Sequence, residues 1–147
     1  MTGHEQHLFV YGCLREALQH PLRRVLKLGG EHLGEARFQG ILYAADWYPG
    51  AVPSDRPRDS VRGDLYRLTS PAMVLEHLDT YERCAPADPQ PTLFRRECLE
   101  VCRADGLRCQ AWVYLYNHPV TGLRRIRSGD FLRPGAPVTA QQRSMRR

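Results

Sequence analysis

Residues 111–116 read AWVYLY, and this stretch constrains the fold more than any other part of the chain. All six side chains are apolar or aromatic. Successive residues of a β-strand point to opposite faces, so a strand with this sequence is apolar on both. It belongs in the centre of a sheet covered from two sides. Near the N-terminus, residues 8–11 (LFVY) form a second apolar, β-prone run. It breaks at Gly12, and a thiol and a cation (Cys13, Arg15) follow almost at once. A chain of 147 residues, 42% of them hydrophobic, fits one domain and can bury a sizeable core.

Between these two runs the pattern alternates. Leu18, Leu22, Val25 and Leu26 recur at near-helical spacing. Pro21 stands where a short helix would open, and Gly29-Gly30 where it would close. Residues 31–43 carry Phe38, Ile41, Leu42 and Tyr43 and read as strands. Tyr48-Pro49-Gly50 and the stretch SDRPRDS (54–60) read as turns or an exposed loop. Residues 61–68 (VRGDLYRL) have strand character. Ser70 is placed to cap a helix that Pro71 opens, and Val74, Leu75, Leu78 and Tyr81 make its apolar stripe. The helix should end near Glu82, because the segment CAPADPQPT (84–92) holds three prolines. Residues 94–102 and 110–116 read as long strands, joined by a hairpin at Asp105-Gly106. Strands dominate and no clean βαβ alternation appears. This predicts an α+β fold with a curved, mostly antiparallel sheet or small barrel. Beyond Phe131 the chain is rich in Pro, Gly, Gln and Arg. The expected organisation is one domain over residues 1–131 and a basic, flexible tail over 132–147.

Charge and cysteine content narrow the function classes. The net charge is +5. Residues 124–147 hold seven arginines and one aspartate (+6), and residues 1–123 hold 14 basic and 15 acidic residues (−1). The body therefore offers no basic face for nucleic acid, and only the arginine-rich tail could make such a contact. The five cysteines form no CxxC, and no histidine pair stands near Cys98 and Cys102, so the spacings do not match a zinc site. An odd cysteine count and a polar N-terminus without a signal-type core lead us to expect a cytoplasmic protein with free thiols. No apolar stretch approaches the ~20 residues that cross a bilayer.

Two places could carry chemistry. At Tyr11-Gly12-Cys13-Leu14, a glycine at a strand end lets the backbone approach a ligand, and consecutive amides can form an anion-binding nest. The same residues could equally be a plain strand exit. At Leu78-Asp79-Thr80-Tyr81-Glu82, Glu82 follows the last apolar residue of a helix, at the negative end of its dipole. A carboxylate there, if partly buried, has a raised pKa and suits general-base work; if not, it is a solvated surface group. Asp79, one turn earlier, would serve structure, for example through nearby loop amides. Cys13 near Arg15 could be an activated thiol, and His77 reads as helix surface.

Taken in order, LFVYGCLR, the YPG at Tyr48, VRGDLYRL, LDTYE, the strand opening FRR and AWVYLY resemble the γ-glutamylcyclotransferase-like superfamily, which includes the AIG2-like proteins. The resemblance covers roughly residues 7–131. It implies a small barrel of mixed strands flanked by a few short helices. It also implies an enzyme that cyclises a γ-glutamyl amide, amine or peptide to 5-oxoproline and releases the amine. The nucleophile is the substrate's own α-amine, so neither metal nor cofactor is called for. The resemblance implies Glu82 as general acid/base and Tyr11, Gly12, Cys13 and Leu14 as the substrate-holding loop, with Phe94 at the substrate. Two residues depart from the family pattern. Cys13 stands where relatives carry threonine or serine, and Phe94 where they often carry tyrosine. These departures motivate a second possibility, a non-catalytic protein that binds a small carboxylate on the same fold.

Overall fold

A computed structural model describes residues 6–12 and 20–132. Five strands close into a barrel: β1 (Gln6–Val10), β5 (Val61–Leu68), β2 (Gly30–Phe38), β6 (Phe94–Arg103) and β7 (Arg108–Tyr116), in that order around the wall. Four of the five contacts are antiparallel. The fifth, β1 against β7, is parallel and closes the ring, with Leu8 opposite Trp112 and Phe9 opposite Val113. A smaller sheet lies beside the barrel, with β3 (Gly40–Ala44) between β4 (Pro49–Pro53) and β8 (Arg124–Arg125). Among the described residues two helices accompany the sheets, α1 (Arg23–Gly29) and α2 (Pro71–Tyr81). The α+β barrel expected from the strand-rich sequence is therefore present. None of the described helices is long and apolar enough to cross a membrane.

The two-faced apolar strands explain the layering. Phe9 and Tyr11 from β1 and its exit, with Val113 and Leu115 from β7, point into the barrel among Phe38, Leu65 and Val101. Their sequence neighbours Leu8, Val10, Tyr114 and Tyr116 point outward, where Leu26, Val74, Leu75 and Leu78 of the helices cover them. One set of strands thus serves two cores. Each fully buried large side chain contributes roughly 1.5–3 kcal/mol.

Several local expectations need correcting. Pro21 lies in the turn before α1, which starts at Arg23. Pro71 does open α2, but the Ser70 side chain makes no capping hydrogen bond. Of Tyr48-Pro49-Gly50, the last two residues belong to β4. Gly50 is needed there for space: a Cβ would lie 2.8 Å from the Tyr116 ring. The 54–60 loop is exposed over Asp55–Arg58 but anchored by buried Asp59, which bonds Ser54 Oγ and Arg125. The tail from residue 133 onward lies outside the described residues.

Candidate active site

A cavity of about 410 Å³ opens where β1 ends. Its wall comes from five separate stretches: Phe9–Gly12, Asp46–Pro49, Tyr81–Arg83, Leu93-Phe94 and Tyr114. Tyr11, Gly12, Glu82 and Phe94, four of the six residues singled out from the sequence, therefore meet in one place. Cys13 and Leu14 fall outside the described residues.

Glu82 reaches the cavity through the way α2 stops. It is the C-cap residue, and its N–H still donates to the Leu78 carbonyl at 2.8 Å. The Arg83 N–H donates to Thr80 and the Cys84 N–H to Asp79, which ties off two more carbonyls. These bonds require a left-handed residue after the cap, and Arg83 takes that conformation with φ 58°. The sharp exit leaves Glu82 in the cavity wall. Its side chain makes no hydrogen bond or ion pair among the described residues. Burial raises its carboxyl from the ordinary 4.5 to about 8. Desolvation disfavours the charged form, and no cation among the described residues forms an ion pair with it.

The end of α2 is clamped from the barrel. Asp79 accepts from Arg96 Nε at 2.8 Å and from Arg96 Nη2 at 3.1 Å. It also accepts from the Tyr114 hydroxyl at 2.7 Å. The Arg96 guanidinium in turn lies over Trp112, 4.4 Å from the ring centroid. Asp79 does serve structure, but through a guanidinium and a phenol on two strands, where the sequence had suggested loop amides. Cys84 lies beside it, with Sγ 3.7 Å from Asp79 Oδ1. Burial, then the Asp79 and Glu82 charges, push this thiol up to about 12, so it stays protonated.

Tyr11 and Gly12 turn out to work differently from a simple ligand loop. The Tyr11 hydroxyl donates to the Tyr114 carbonyl at 2.6 Å and accepts from the Ala51 N–H at 3.1 Å. It joins β7 to β4 behind the cavity, and burial raises its pKa well above the usual phenol range. Gly12 does not have the left-handed conformation. What favours glycine is close packing, since a Cβ would come within 3.1 Å of the Pro49 ring.

Phe94 packs between Tyr48 and Tyr116, with ring centroids 5.9 and 5.8 Å away. A phenol beside Phe94 thus comes from Tyr48, which lines the same cavity. Its hydroxyl makes no hydrogen bond among the described residues and lies within electrostatic reach of Glu82 and Arg83. Sequence reading did not assign Tyr48, Arg83, Arg96 or Tyr114 to the site. For Tyr48 a signal existed, since YPG was among the stretches carrying the resemblance. The others are set by strand register and by one backbone conformation. Among the described residues no group of three or more His, Cys, Asp or Glu side chains could hold a metal ion. His77 is on the exposed helix surface, with Nδ1 2.8 Å from the Met73 carbonyl oxygen.

Comparison with known proteins places this arrangement. The gamma-glutamylcyclotransferase family protein YtfP of Escherichia coli is 30% identical over 127 residues, 85% of this chain and 95% of the relative. The solution structure of E. coli ytfP superposes with a TM-score of 0.60 at 28% identity, over 89% of this chain and all of that one. An AIG2-like protein from Mus musculus shares the fold with a TM-score of 0.64 at 23% identity, over 83% and 86% of the two chains. Residues 8–133 match the family described as gamma-glutamyl cyclotransferase, AIG2-like, and the chain belongs to that family.

Proposed function

We propose that the protein is a γ-glutamylcyclotransferase acting on a small γ-glutamyl amide or peptide, with Glu82 as its general acid/base. The observation that carries this reading is the placement of Glu82, a carboxyl with no hydrogen-bond or ion-pair partner among the described residues, in the wall of a cavity next to the strand exit at Gly12, where burial raises its pKa.

The substrate's α-ammonium enters beside Glu82. Its charge favours the carboxylate, which then accepts one ammonium proton. The α-nitrogen attacks the γ-carbonyl carbon and a five-membered ring forms. The bond from that carbon to the leaving nitrogen breaks as Glu82 returns the proton to the departing nitrogen. The ring nitrogen then sheds its second proton through the freed Glu82 carboxylate, and the released amine carries it away as its ammonium form. The products are 5-oxoproline and a free amine, and the protein ends as it began. A carboxyl raised by burial lies closer to an α-amine than an ordinary glutamate does, so the proton transfer is less uphill. Holding the chain in a ring-closing conformation lowers the barrier further by removing orientational freedom. In this reading the amides following Tyr11, at Gly12, Cys13 and Leu14, hold the glutamyl α-carboxylate. Phe94 packs against the substrate's methylenes, and no cofactor takes part.

The test is release of 5-oxoproline from a panel of γ-glutamyl amino acids, amines and peptides. Turnover of at least one class supports the enzyme. Saturable binding of a γ-glutamyl compound with no 5-oxoproline from any member would instead make the protein a carboxylate-binding relative.

A further inference from the structure

The exit from α2 puts two consecutive side chains, Glu82 and Arg83, into the wall of one cavity. In a regular helix they would diverge by about 100°. The left-handed backbone at Arg83 departs from that helical geometry, and both residues line the cavity. Glycine is the usual residue at this position of a helix end, and a side chain there costs on the order of 1 kcal/mol. Strained non-glycine residues cluster at ligand sites. Arg83 is exposed, and its side chain makes no hydrogen bond or ion pair among the described residues. Among the described residues lining the cavity, the charged ones are Asp46, Glu82 and Arg83, and Arg83 is the one cation of these. The Tyr48 hydroxyl lies within its electrostatic reach and has no hydrogen-bond partner among the described residues. Two residues whose side-chain donors have no acceptor among the described residues thus line the same cavity as Glu82. Asp46 is exposed, and its charge also reaches the Tyr48 hydroxyl.

We propose that Arg83, together with the Tyr48 hydroxyl, binds a carboxylate carried by the leaving half of the substrate. The site then selects γ-glutamyl α-amino acids over γ-glutamyl amines and polyamines. This inference rests on the cyclotransferase reading above. That reading places the glutamyl carboxylate at the strand exit and the α-amine at Glu82, and leaves Arg83 and Tyr48 for the group that departs. A carboxylate on the carbon beside the leaving nitrogen is two bonds from that nitrogen, close enough to the reacting atoms for the residue that follows Glu82 to meet it. A polyamine would set a second cation against Arg83. The aromatic wall of Trp47, Tyr48 and Phe94 would cover the leaving residue's side chain.

The experiment compares kcat/KM for γ-glutamyl-alanine and γ-glutamyl-alaninamide, which differ only in that carboxylate. Wild type should prefer the free acid by roughly tenfold or more, as expected for a charge-assisted contact. Arg83→Gly suits the left-handed backbone, so it should melt no lower than wild type, and the ratio of acid to amide should fall toward one. Arg83→Lys keeps the charge and should keep most of the preference. Equal use of both substrates by wild type overturns the proposal, as does an unchanged ratio in Arg83→Gly. So does a γ-glutamyl-polyamine that outperforms the free acid and depends on Asp46. If no compound is turned over, the cyclotransferase reading fails separately. Calorimetric binding of the two dipeptides then decides this inference by the same ratio, and absence of binding by both overturns it.

Discussion

Arg96 on β6 donates to both carboxylate oxygens of Asp79, at 2.8 and 3.1 Å, one helical turn before Glu82. The pair joins the last turn of α2 to the barrel wall, and the Tyr114 hydroxyl adds a third bond from the next strand. The cap residue therefore hangs from a fixed point, and the bite between helix and barrel is where the cavity opens.

This clamp should be needed for both stability and position. Asp79→Asn leaves a half-buried guanidinium without its counter-charge. It should lower unfolding free energy by about 1–3 kcal/mol, less than a fully buried pair because water reaches both groups. Denaturant melts measure the loss. The rate of 5-oxoproline release should fall with it even at temperatures where the variant is fully folded.

Glu82→Gln preserves shape but cannot take the ammonium proton. Its kcat should drop by about 10²–10⁴ on any substrate that wild type turns over. In wild type, kcat/KM should rise with pH as the carboxyl ionises, with its half-point near pH 8 and its plateau above that. The variant's residual rate should lack that limb. Retention of full rate by the variant would remove Glu82 from the mechanism.

The same carboxyl should make stability depend on pH. The folded chain keeps its proton up to about pH 8, whereas an unfolded glutamate releases it near 4.5. Across that window the folded state binds more protons, so stability falls as pH rises. The benefit of a protonated Glu82 is complete below 4.5 and gone above about 8. Glu82→Gln lacks this dependence. It should match wild type near pH 4.5 and exceed it at pH 8.5 by on the order of 2–4 kcal/mol. Paired melts at the two pH values check the sign.

Tyr11→Phe removes a hydroxyl that serves two backbone groups. The Ala51 N–H and the Tyr114 carbonyl would both lose a buried partner. A loss of about 1–3 kcal/mol is expected, with the larger consequence at the cavity, since β4 leads out of the Asp46–Pro49 wall. Chemical denaturation gives the first number, and substrate KM reports the second.

Gly50→Ala should be harmful for a reason no turn rule supplies. The added methyl would sit 2.8 Å from the Tyr116 ring, which also contacts Phe94. Overpacking of this kind costs about 1–3 kcal/mol. A thermal melt of the variant unchanged from wild type would show that the ring moves aside freely.

Much of this protein was legible before any coordinates. AWVYLY and LFVY, apolar on both faces, required strands covered twice, and they are the strands that serve both cores. Pro71 and the prolines of 84–92 bracketed α2, so Glu82 was placed at a helix end from local chemistry alone. Local sequence determined these features because propensity, proline geometry and two-fold alternation act within a few residues. Tertiary structure decided the rest. The parallel pairing of β1 with β7 brings Tyr11 to Tyr114, 103 positions away, and gives a tyrosine of the cavity wall a strut's hydrogen bonds as well. The register of β6 brings Arg96 to Asp79, and the packing of Pro49 and Tyr116, not a turn, accounts for Gly12 and Gly50. Even the acidity of Glu82 depends on the fold. The helix end was readable, but the desolvation that raises its carboxyl comes from chain segments far apart in sequence, and closure of the barrel brings them together.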